Sequence, residues 1–343
     1  MNKMKRILGN CLKALVLPAA IYLLLFLIAR AVGRSFGSWT QLKSIIMQTA
    51  RPLLITYGVC FAMKSGRMDF ASGALTTFAG MFAALVVSEW MGLGDLPGLI
   101  AFCAICVLVG MVLGVVNGVL YITMRVPGLV GSLGLCMVYE TLCYCLTNGG
   151  SMTLRGSTMM YFGRTPGLYY IMIFGAILFY LIWSKTSIGY HVRAVGMGQI
   201  MARNVGVKVE KLSVIAFVCS GLFYGLGGIV YQSFSGTLYP TTNFGTAALM
   251  FDGVVALIVA DFLSRYCNMA IACFLASLTF KMLTAGLVTI GLQSEYQEIF
   301  RGAFIILFTF FTSQEKWLEQ RRHDKKRMVQ ALAELETQEK TPA

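Results

Sequence analysis

The sequence predicts an all-α, polytopic membrane protein of about ten transmembrane helices, with both termini in the cytoplasm. Hydrophobic residues make up 57% of the 343 residues and charged residues only 13%, whereas a soluble domain usually carries about 25% charged residues. The mean hydropathy is correspondingly high, at +0.73. The apolar residues also fall in runs of about 20, the length that crosses the hydrocarbon core of a bilayer. A chain of this composition cannot cover a water-facing surface.

Ten apolar segments are the candidate helices: 13–33, 44–63, 70–90, 97–124, 128–147, 167–184, 210–232, 246–262, 268–290 and 297–312. The first follows several basic residues and resembles a signal peptide. It is long and lacks a clear small-x-small cleavage site, so an uncleaved first helix is expected. The predicted domains are a transmembrane domain over 1–312 and a charged cytoplasmic tail over 313–343. The tail is either a short amphipathic helix or a solvated, partly frayed segment.

The basic residues set the orientation. The net charge of +13 could suggest a nucleic-acid partner, but the Lys and Arg residues lie mainly in loops and tails between the apolar runs. With the N-terminus in the cytoplasm, most of the 28 Lys and Arg residues fall inside or at inner helix ends, including those of segment 185–211. This is the positive-inside distribution of a membrane protein.

Cysteine and histidine give no sign of a metal site or a catalytic centre. Most of the ten cysteines lie within apolar runs, where Cys behaves as a small hydrophobic residue. Cys103 and Cys106 have the spacing of a metal or redox pair, but no second pair and no histidine lies nearby in the sequence. The two histidines, His191 and His323, fall in predicted cytoplasmic segments. We therefore predict no metal site.

Polar residues in and beside the spans are the candidates for a solute pathway: Asp69, Ser72, Asn117, Ser132, Glu140, Asp252 and Lys281. Asp69 lies in a Gly-flanked loop that permits a broken or re-entrant helix start, where it is expected to be the N-cap. An ionisable group in a span costs about 2.5–3.5 kcal/mol, so such groups face the bundle interior or a wet cavity. Glu140, Asp252 and Lys281 are therefore either an internal structural pair or part of the pathway.

The predicted cytoplasmic segment 185–211 is the second candidate site. Residues 199–204 can form a short helix that Gly206 is well placed to end. Small apolar residues on a short basic helix suit docking into the groove of a partner protein. An ordinary positively charged loop has the same spacing, so the pattern alone leaves both interpretations open.

Three segments resemble the permeases of bacterial ABC importers for ribose, xylose, galactosides and related sugars, a superfamily that includes nucleoside and branched-chain amino-acid permeases. Residues 68–73 are similar to the family's Gly-Gly-Ile-Asp-Leu-Ser-Val-Gly. Residues 114–134 are similar to Gly-x-x-Asn-Gly followed by Lys-Val-Pro-Pro-Phe-Ile-x-Thr-Leu-Gly. The pattern Thr186, Gly189, Ala194, Gly196, Met201, Ala202 and Gly206 is similar to the family's ATPase-coupling segment. Order and spacing agree over roughly residues 44–235.

The resemblance implies a permease dimer around a central pathway in the inner membrane, completed by cytoplasmic ABC ATPases and an extracytoplasmic solute-binding protein. It implies contact with the ATPase at Arg193, Ala194, Gly196, Met201, Ala202 and Gly206. The chain contains no Gly-x-x-x-x-Gly-Lys-Ser/Thr loop, so ATP is expected to bind the separate subunit. The chain itself is expected to need no cofactor and to be no enzyme. The expected solute is small and polar, with a monosaccharide favoured.

Departures from the family pattern keep some alternatives open. The segment 250–261 lacks the family's Gly-Gly repeats, and Glu140 and Thr141 stand where many members have Arg-Gly. Nucleosides or branched-chain amino acids are alternative solutes, and an ion-coupled transporter that uses Glu140 and Asp252 is an alternative mechanism. In a homodimer, two copies of either carboxylate near the axis would repel each other. A heterodimer avoids this repulsion, and so does a homodimer in which Lys281 neutralises one carboxylate.

Overall fold

The computed structural model describes residues 2–92, 95–124, 128–154, 158–293, 296–297, 299–300, 302–310 and 314, with side chains from residue 14 onward. The chain forms two compact units, Met1–Ile290 and Gly291–Ala343. In the second unit, residues 302–310 are helical. Apart from residue 314, the predicted tail over 313–343 lies outside the described residues, and so does the Arg125-Val126-Pro127 motif. The domain boundary at 312 stays a prediction.

The first unit is almost entirely helical. Its helices are α1 (Asn2–Ala31), α2 (Trp39–Lys64), α3 (Ser72–Leu85), α4 (Asp95–Thr123), α5 (Gly128–Thr147), α6 (Gly167–Lys185), α7 (Ser187–Met197), α8 (Gln199–Asn204), α9 (Val209–Ser235), α10 (Ala247–Leu263) and α11 (Met269–Ile290). A π-helix over Val86–Trp90 continues α3, and a 3-10 helix covers Thr158–Gly163. Two short strands, β1 (Met152–Thr153) and β2 (Thr237–Leu238), pair antiparallel.

This architecture confirms the predicted fold class. Among the described residues, eight helices are long and apolar enough to cross a membrane. The predicted span 246–262 is not among these eight and appears as α10, whose 17 residues correspond to about 26 Å. The predicted short helix over 199–204 is also confirmed, as α8. Helix α7 was not predicted, although its buried residues Gly189, Val192 and Val195 recur every three positions, as on one face of a helix.

Helix α9 lies at the centre of the bundle, where it packs against α2, α3 and α4. Glycines spaced four residues apart, Gly110, Gly114 and Gly118 on α4 and Gly221 and Gly225 on α9, make the α4–α9 contact. A Cβ on Gly110 would lie 2.3 Å from the carbonyl oxygen of Gly221, and a Cβ on Gly221 would lie 2.1 Å from that of Gly110. Only glycine permits this approach of two backbones, as small-xxx-small packing requires.

Helices α3 and α10 both begin inside the bundle. A Cβ on Gly73, in the first turn of α3, would lie 2.4 Å from the carbonyl oxygen of Thr246, which directly precedes α10. The Thr246 hydroxyl lies 3.6 Å from the Cys136 thiol on α5. At 1.5 Å per residue, Cys136 is about 12 Å along α5 from its start and about 16 Å from its end. The start of α10 therefore lies roughly midway through the layer of helices.

Candidate functional site

Asp69 organises the start of α3. Its side chain is buried and accepts hydrogen bonds from the Ala71 N–H at 3.0 Å and from the Tyr224 hydroxyl of α9 at 3.0 Å. The prediction that Asp69 is the N-cap is wrong, since α3 begins at Ser72 and Ala71 occupies the cap position. Asp69 instead folds the preceding turn and fastens it to the central helix. The predicted broken helix start is confirmed.

Glu140 has the equivalent role at the start of α10. One carboxylate oxygen accepts from the Thr246 N–H at 2.8 Å and from the Thr246 hydroxyl at 2.6 Å, and the other accepts from the Phe244 N–H at 2.9 Å. The first N–H groups of a helix have no partner within the helix, and a negative charge there is also attracted to the positive end of the helix dipole. Glu140 thus anchors α10 to α5.

Lys281 and Asp252 form an ion pair between α11 and α10. The Lys281 Nζ atom lies 2.6 Å from Asp252 Oδ2, and both side chains are 11% exposed. The hypothesis that Lys281 neutralises one of the two carboxylates within its own chain is confirmed. A second pair, Lys64 and Asp261, joins α2 to α10 at a distance of 2.7 Å, with side chains about one-third exposed.

The three neutral pathway candidates are buried as well. Asn117 on α4 accepts a hydrogen bond from the Tyr139 hydroxyl on α5. Ser132 donates to the carbonyl oxygen of Gly128 at 2.9 Å, within the first turn of α5. Ser72 is the first residue of α3. The structure therefore brings Asp69, Ser72, Glu140 and the start of α10 into one region, and it keeps Asp252 with Lys281 apart as a separate pair.

The Lys281–Asp252 pair weakens the electrostatic reason for a heterodimer, because Lys281 neutralises Asp252 within its own chain. Glu140 is hydrogen-bonded but has no cationic partner in the described part of the chain, so the choice between a homodimer and a heterodimer stays open. A role for the seven candidates as direct contacts of a solute stays a prediction. In the structure, Asp69 holds the start of α3, and Glu140, Asp252 and Lys281 hold α10.

The predicted coupling segment forms α7 and α8 at the end of the bundle that carries Lys64. Thr186 separates α7 from α6, and its hydroxyl accepts the Gly189 N–H at 3.5 Å. A Cβ on Gly196 would lie 2.8 Å from the carbonyl oxygen of Lys64, so α7 rests directly on the end of α2. Gly206 has a φ of +86° and ends α8 as predicted, since the N–H of Val207 reaches back to the Ala202 carbonyl at 3.0 Å.

The predicted coupling residues divide into supporting and accessible groups. Arg193 bonds the Gly189 carbonyl oxygen at 3.2 Å and lies 4.5 Å from the Tyr190 ring, and Ala202 is buried. Ala194 and Gly196 line, with the Lys64–Asp261 pair, an open cleft of about 680 Å³. Only Met201 among these residues presents a large exposed apolar side chain.

Sequence reasoning missed three residues that extend the Met201 surface. The exposed apolar side chains around α8 are Met197 (82% exposed), Ile200 (78%), Met201 (72%) and Val205 (82%). We call these four residues the α8 patch. Ile200 and Met201 lie on α8, Met197 ends α7 and Val205 caps α8. Four large apolar residues within the nine residues 197–205 of a predicted cytoplasmic segment were the available signal. The patch lies outside the candidate membrane spans.

Comparison with known proteins identifies the family. Residues 41–309 match the family model described as the permease component of branched-chain amino acid transport systems. The chain belongs to this family. It is a multi-pass permease of ABC import systems in the bacterial inner membrane, and a transport subunit rather than an enzyme.

Two relatives are import permeases for different compounds. The chain is 24% identical to the galactose/methyl galactoside import permease MglC of Haemophilus influenzae, over 84% of this chain and 91% of MglC. It is 28% identical to the autoinducer 2 import permease LsrC of Yersinia pestis, over 65% of this chain and 63% of LsrC. A solved ABC transporter of metal-chelate type, in an inward-facing conformation, matches 88% of this chain at a TM-score of 0.44 and 14% identity.

Metal binding has no support in the described part of the chain, where no group of three or more His, Cys, Asp and Glu side chains is arranged to hold an ion. Cys106 instead bonds the Gly225 carbonyl oxygen at 3.1 Å, at the contact between α4 and α9.

Proposed function

We propose that this chain forms the translocation pathway of an ATP-driven importer for an uncharged, monosaccharide-like solute. Its partners are a cytoplasmic ABC ATPase that binds the ATP, an extracytoplasmic solute-binding protein and a second permease subunit. The second subunit can be a copy of this chain or a different permease; the pairing of Asp252 with Lys281 supports a copy, because that carboxylate is neutralised within its own chain.

The charge distribution favours an uncharged solute over an amino acid. An amino acid carries a carboxylate and an ammonium group, and binding it away from water requires partners for both charges. In the described spans, Glu140, Asp252 and Lys281 are already engaged with groups of the chain, and the guanidinium of Arg51 lies over the rings of Tyr231 and Phe234. The galactoside permease MglC, similar over most of both chains, supports the same choice.

The α8 patch is the observation that carries the ATPase proposal. Four large apolar side chains that are 72–82% exposed to water are costly unless a partner covers them. A short helix that inserts such side chains into a hydrophobic groove is a recurring mode of protein recognition. The contact of Gly196 with the end of α2 gives the docked helix a direct mechanical connection to a span.

The test is Met201→Asp in the complete importer, with Asn204→Asp as the matched control. Both residues are exposed on α8 and both changes add one negative charge, but only Met201 belongs to the patch. We expect Met201→Asp to lower uptake of labelled D-galactose more than ten-fold and to release the ATPase during purification, with permease abundance unchanged. Asn204→Asp should keep both. Wild-type uptake and ATPase retention in Met201→Asp would contradict the docking assignment.

The tests of solute and mechanism are separate from the test of docking. Wild-type uptake is measured with labelled D-galactose and with labelled L-leucine, each with and without collapse of the ion gradients. Uptake of leucine alone would refute the monosaccharide assignment. Uptake that stops with the ion gradient while ATP remains would favour the ion-coupled mechanism instead.

A further inference from the structure

An exposed, non-helical segment descends from β2 to the start of α10. Residues 239–245 connect Leu238, in the strand pair, to Thr246, and all of them except the half-buried Pro240 are exposed. Thr246 lies against Gly73 and Cys136, roughly midway along α5. We call residues 239–245 the descending segment.

Membrane physics restricts what such a segment can face. Lipid offers no hydrogen-bond partners, so non-helical backbone occurs at membrane depth only where protein buries it or where it lines a water-filled cavity. The descending segment is exposed within its own chain. We infer that the descending segment lines the water-filled solute pathway and contacts the solute through Asn243 and its neighbouring threonines. This inference rests on the proposed function and names the residues that recognise the solute.

The side chains of the segment suit an uncharged polyol. Thr241, Thr242 and Asn243 supply hydroxyl and amide groups that both donate and accept hydrogen bonds. Tyr239 and Phe244 are 69% and 37% exposed and supply flat apolar surfaces for the face of a sugar ring. No charged residue occurs in the segment. Small-molecule sites commonly combine apolar and aromatic surface with a few placed polar groups in this way.

The backbone of the segment is held in an unusual conformation. Asn243 and Phe244 have φ angles of +58° and +61°, a region that is uncommon for non-glycine residues and most unusual for bulky ones. The Phe244 N–H donates to Glu140, which fixes this turn to α5. Backbone strain of this kind concentrates at ligand sites because the surrounding structure must maintain it. Glu140 is thus a positioning residue for the segment.

The first experiment tests the water-filled cavity without reference to any solute. Thr242→Cys and Leu108→Cys are each made in the complete importer and treated in membranes with a membrane-impermeant, hydrophilic thiol reagent. Labelling is read at the peptide level, with the wild-type chain as the background. Both side chains are exposed, but Leu108 lies near the middle of α4 beside the apolar Val107 and Met111. We expect Thr242→Cys to react at least ten-fold faster. Equal, slow rates, as expected if the second permease subunit or lipid covers the segment, would overturn the inference.

The second experiment tests recognition. Asn243→Gly removes the amide and keeps a residue that tolerates positive φ, while Asn243→Asp keeps the shape and adds a charge. We expect both variants to raise the KM for D-galactose uptake at least five-fold at normal abundance. Thr123→Val, which removes an exposed hydroxyl at the far end of α4, should leave the KM unchanged.

The two experiments separate failure of this inference from failure of the proposed function. If the wild type imports galactose and both Asn243 variants keep its KM, the recognition role is wrong and the importer assignment stands. If the wild type imports no galactose, the monosaccharide assignment is wrong. The labelling ratio then still decides whether the descending segment faces water.

Discussion

Helices α3 and α10 both begin inside the bundle, but different contacts hold them in place. Helix α3 is buried almost all round, and its glycines bring it against other backbones: a Cβ on Gly80 would lie 2.9 Å from the Gly228 carbonyl oxygen. Helix α10 is partly open, with Phe251 49% exposed. Side chains of three other helices anchor it: Glu140 from α5, Lys281 from α11 and Lys64 from α2.

A helix that begins inside the bundle has to be held in position, and α3 and α10 are held differently. Close backbone packing fixes α3, because neighbouring helices surround it. Helix α10 lacks neighbours on one side, and charged side chains determine its position. Loss of the charged contacts should therefore destabilise α10 more than loss of the Asp69–Tyr224 hydrogen bond destabilises the start of α3.

The largest effect is expected at the buried ion pair of α10. Asp252→Leu leaves Lys281 without its carboxylate and should lower the free energy of unfolding by about 3–5 kcal/mol, as for other broken buried pairs. The double variant Asp252→Leu/Lys281→Met should recover part of that loss, because neither charge of the pair then remains, while Arg51 still lacks the nearby carboxylate. Thermal unfolding of the purified permease measures both. A double variant as unstable as the single one would show that the ion pair is not the cause.

The next effect is expected at the N-terminus of α10. Glu140→Leu deprives the N–H groups of Phe244 and Thr246 of their acceptor, and an unsatisfied buried donor costs about 1–3 kcal/mol. We expect a loss of about 3 kcal/mol, measured in the same thermal assay. Glu140→Gln keeps one carbonyl acceptor and should lose about half as much. If both variants were as stable as the wild type, Glu140 would have no anchoring role.

The sequence could not predict which groups these anchoring side chains contact. The spans, α8 and the break before α3 follow from hydropathy, Gly spacing and Asp69, all of which are local signals. The partner of Glu140 lies more than 100 residues away in the chain, and the sequence identified this residue only as an ionisable group in a span. The pairing of Lys281 with Asp252 rather than with Glu140 likewise depends on how α10 and α11 pack.

The sequence likewise predicted the α8 patch only in part. The local sequence located α8, and the family pattern selected both the exposed Met201 and Ala202, whose side chain is buried. The pattern preserves the residues that shape the helix and its cap, including Gly206. The side chains that reach solvent, Met197, Ile200 and Val205, follow from the fold of the segment and were missed. For the same reason, the composition of residues 239–245 did not predict that they form a non-helical segment leading to the start of α10.

A smaller effect is expected at the start of α3. Tyr224→Phe removes the hydroxyl that donates to Asp69 and should cost about 1.5 kcal/mol, the lower end for a hydrogen bond to a charged group. A double-mutant cycle with Asp69→Ala isolates this contact. Tyr224→Phe should have little further effect once Asp69 is replaced. Fully additive losses would mean that the hydroxyl stabilises α3 by some other contact.

The smallest effect is expected at the exposed end of α10, where Lys64 pairs with Asp261. This pair has almost the same N–O distance as the Lys281–Asp252 pair, 2.7 Å against 2.6 Å, but its side chains are about one-third exposed instead of 11%. Water screens the attraction and also solvates either charge left alone, so Lys64→Met should change the free energy of unfolding by less than about 1 kcal/mol. Added salt should weaken the wild-type pair and shrink even that difference. Thermal unfolding of Lys64→Met beside Lys281→Met, at low and high salt, compares two ion pairs that differ mainly in burial. Equal losses in the two variants would show that burial does not set the strength of the anchors on α10.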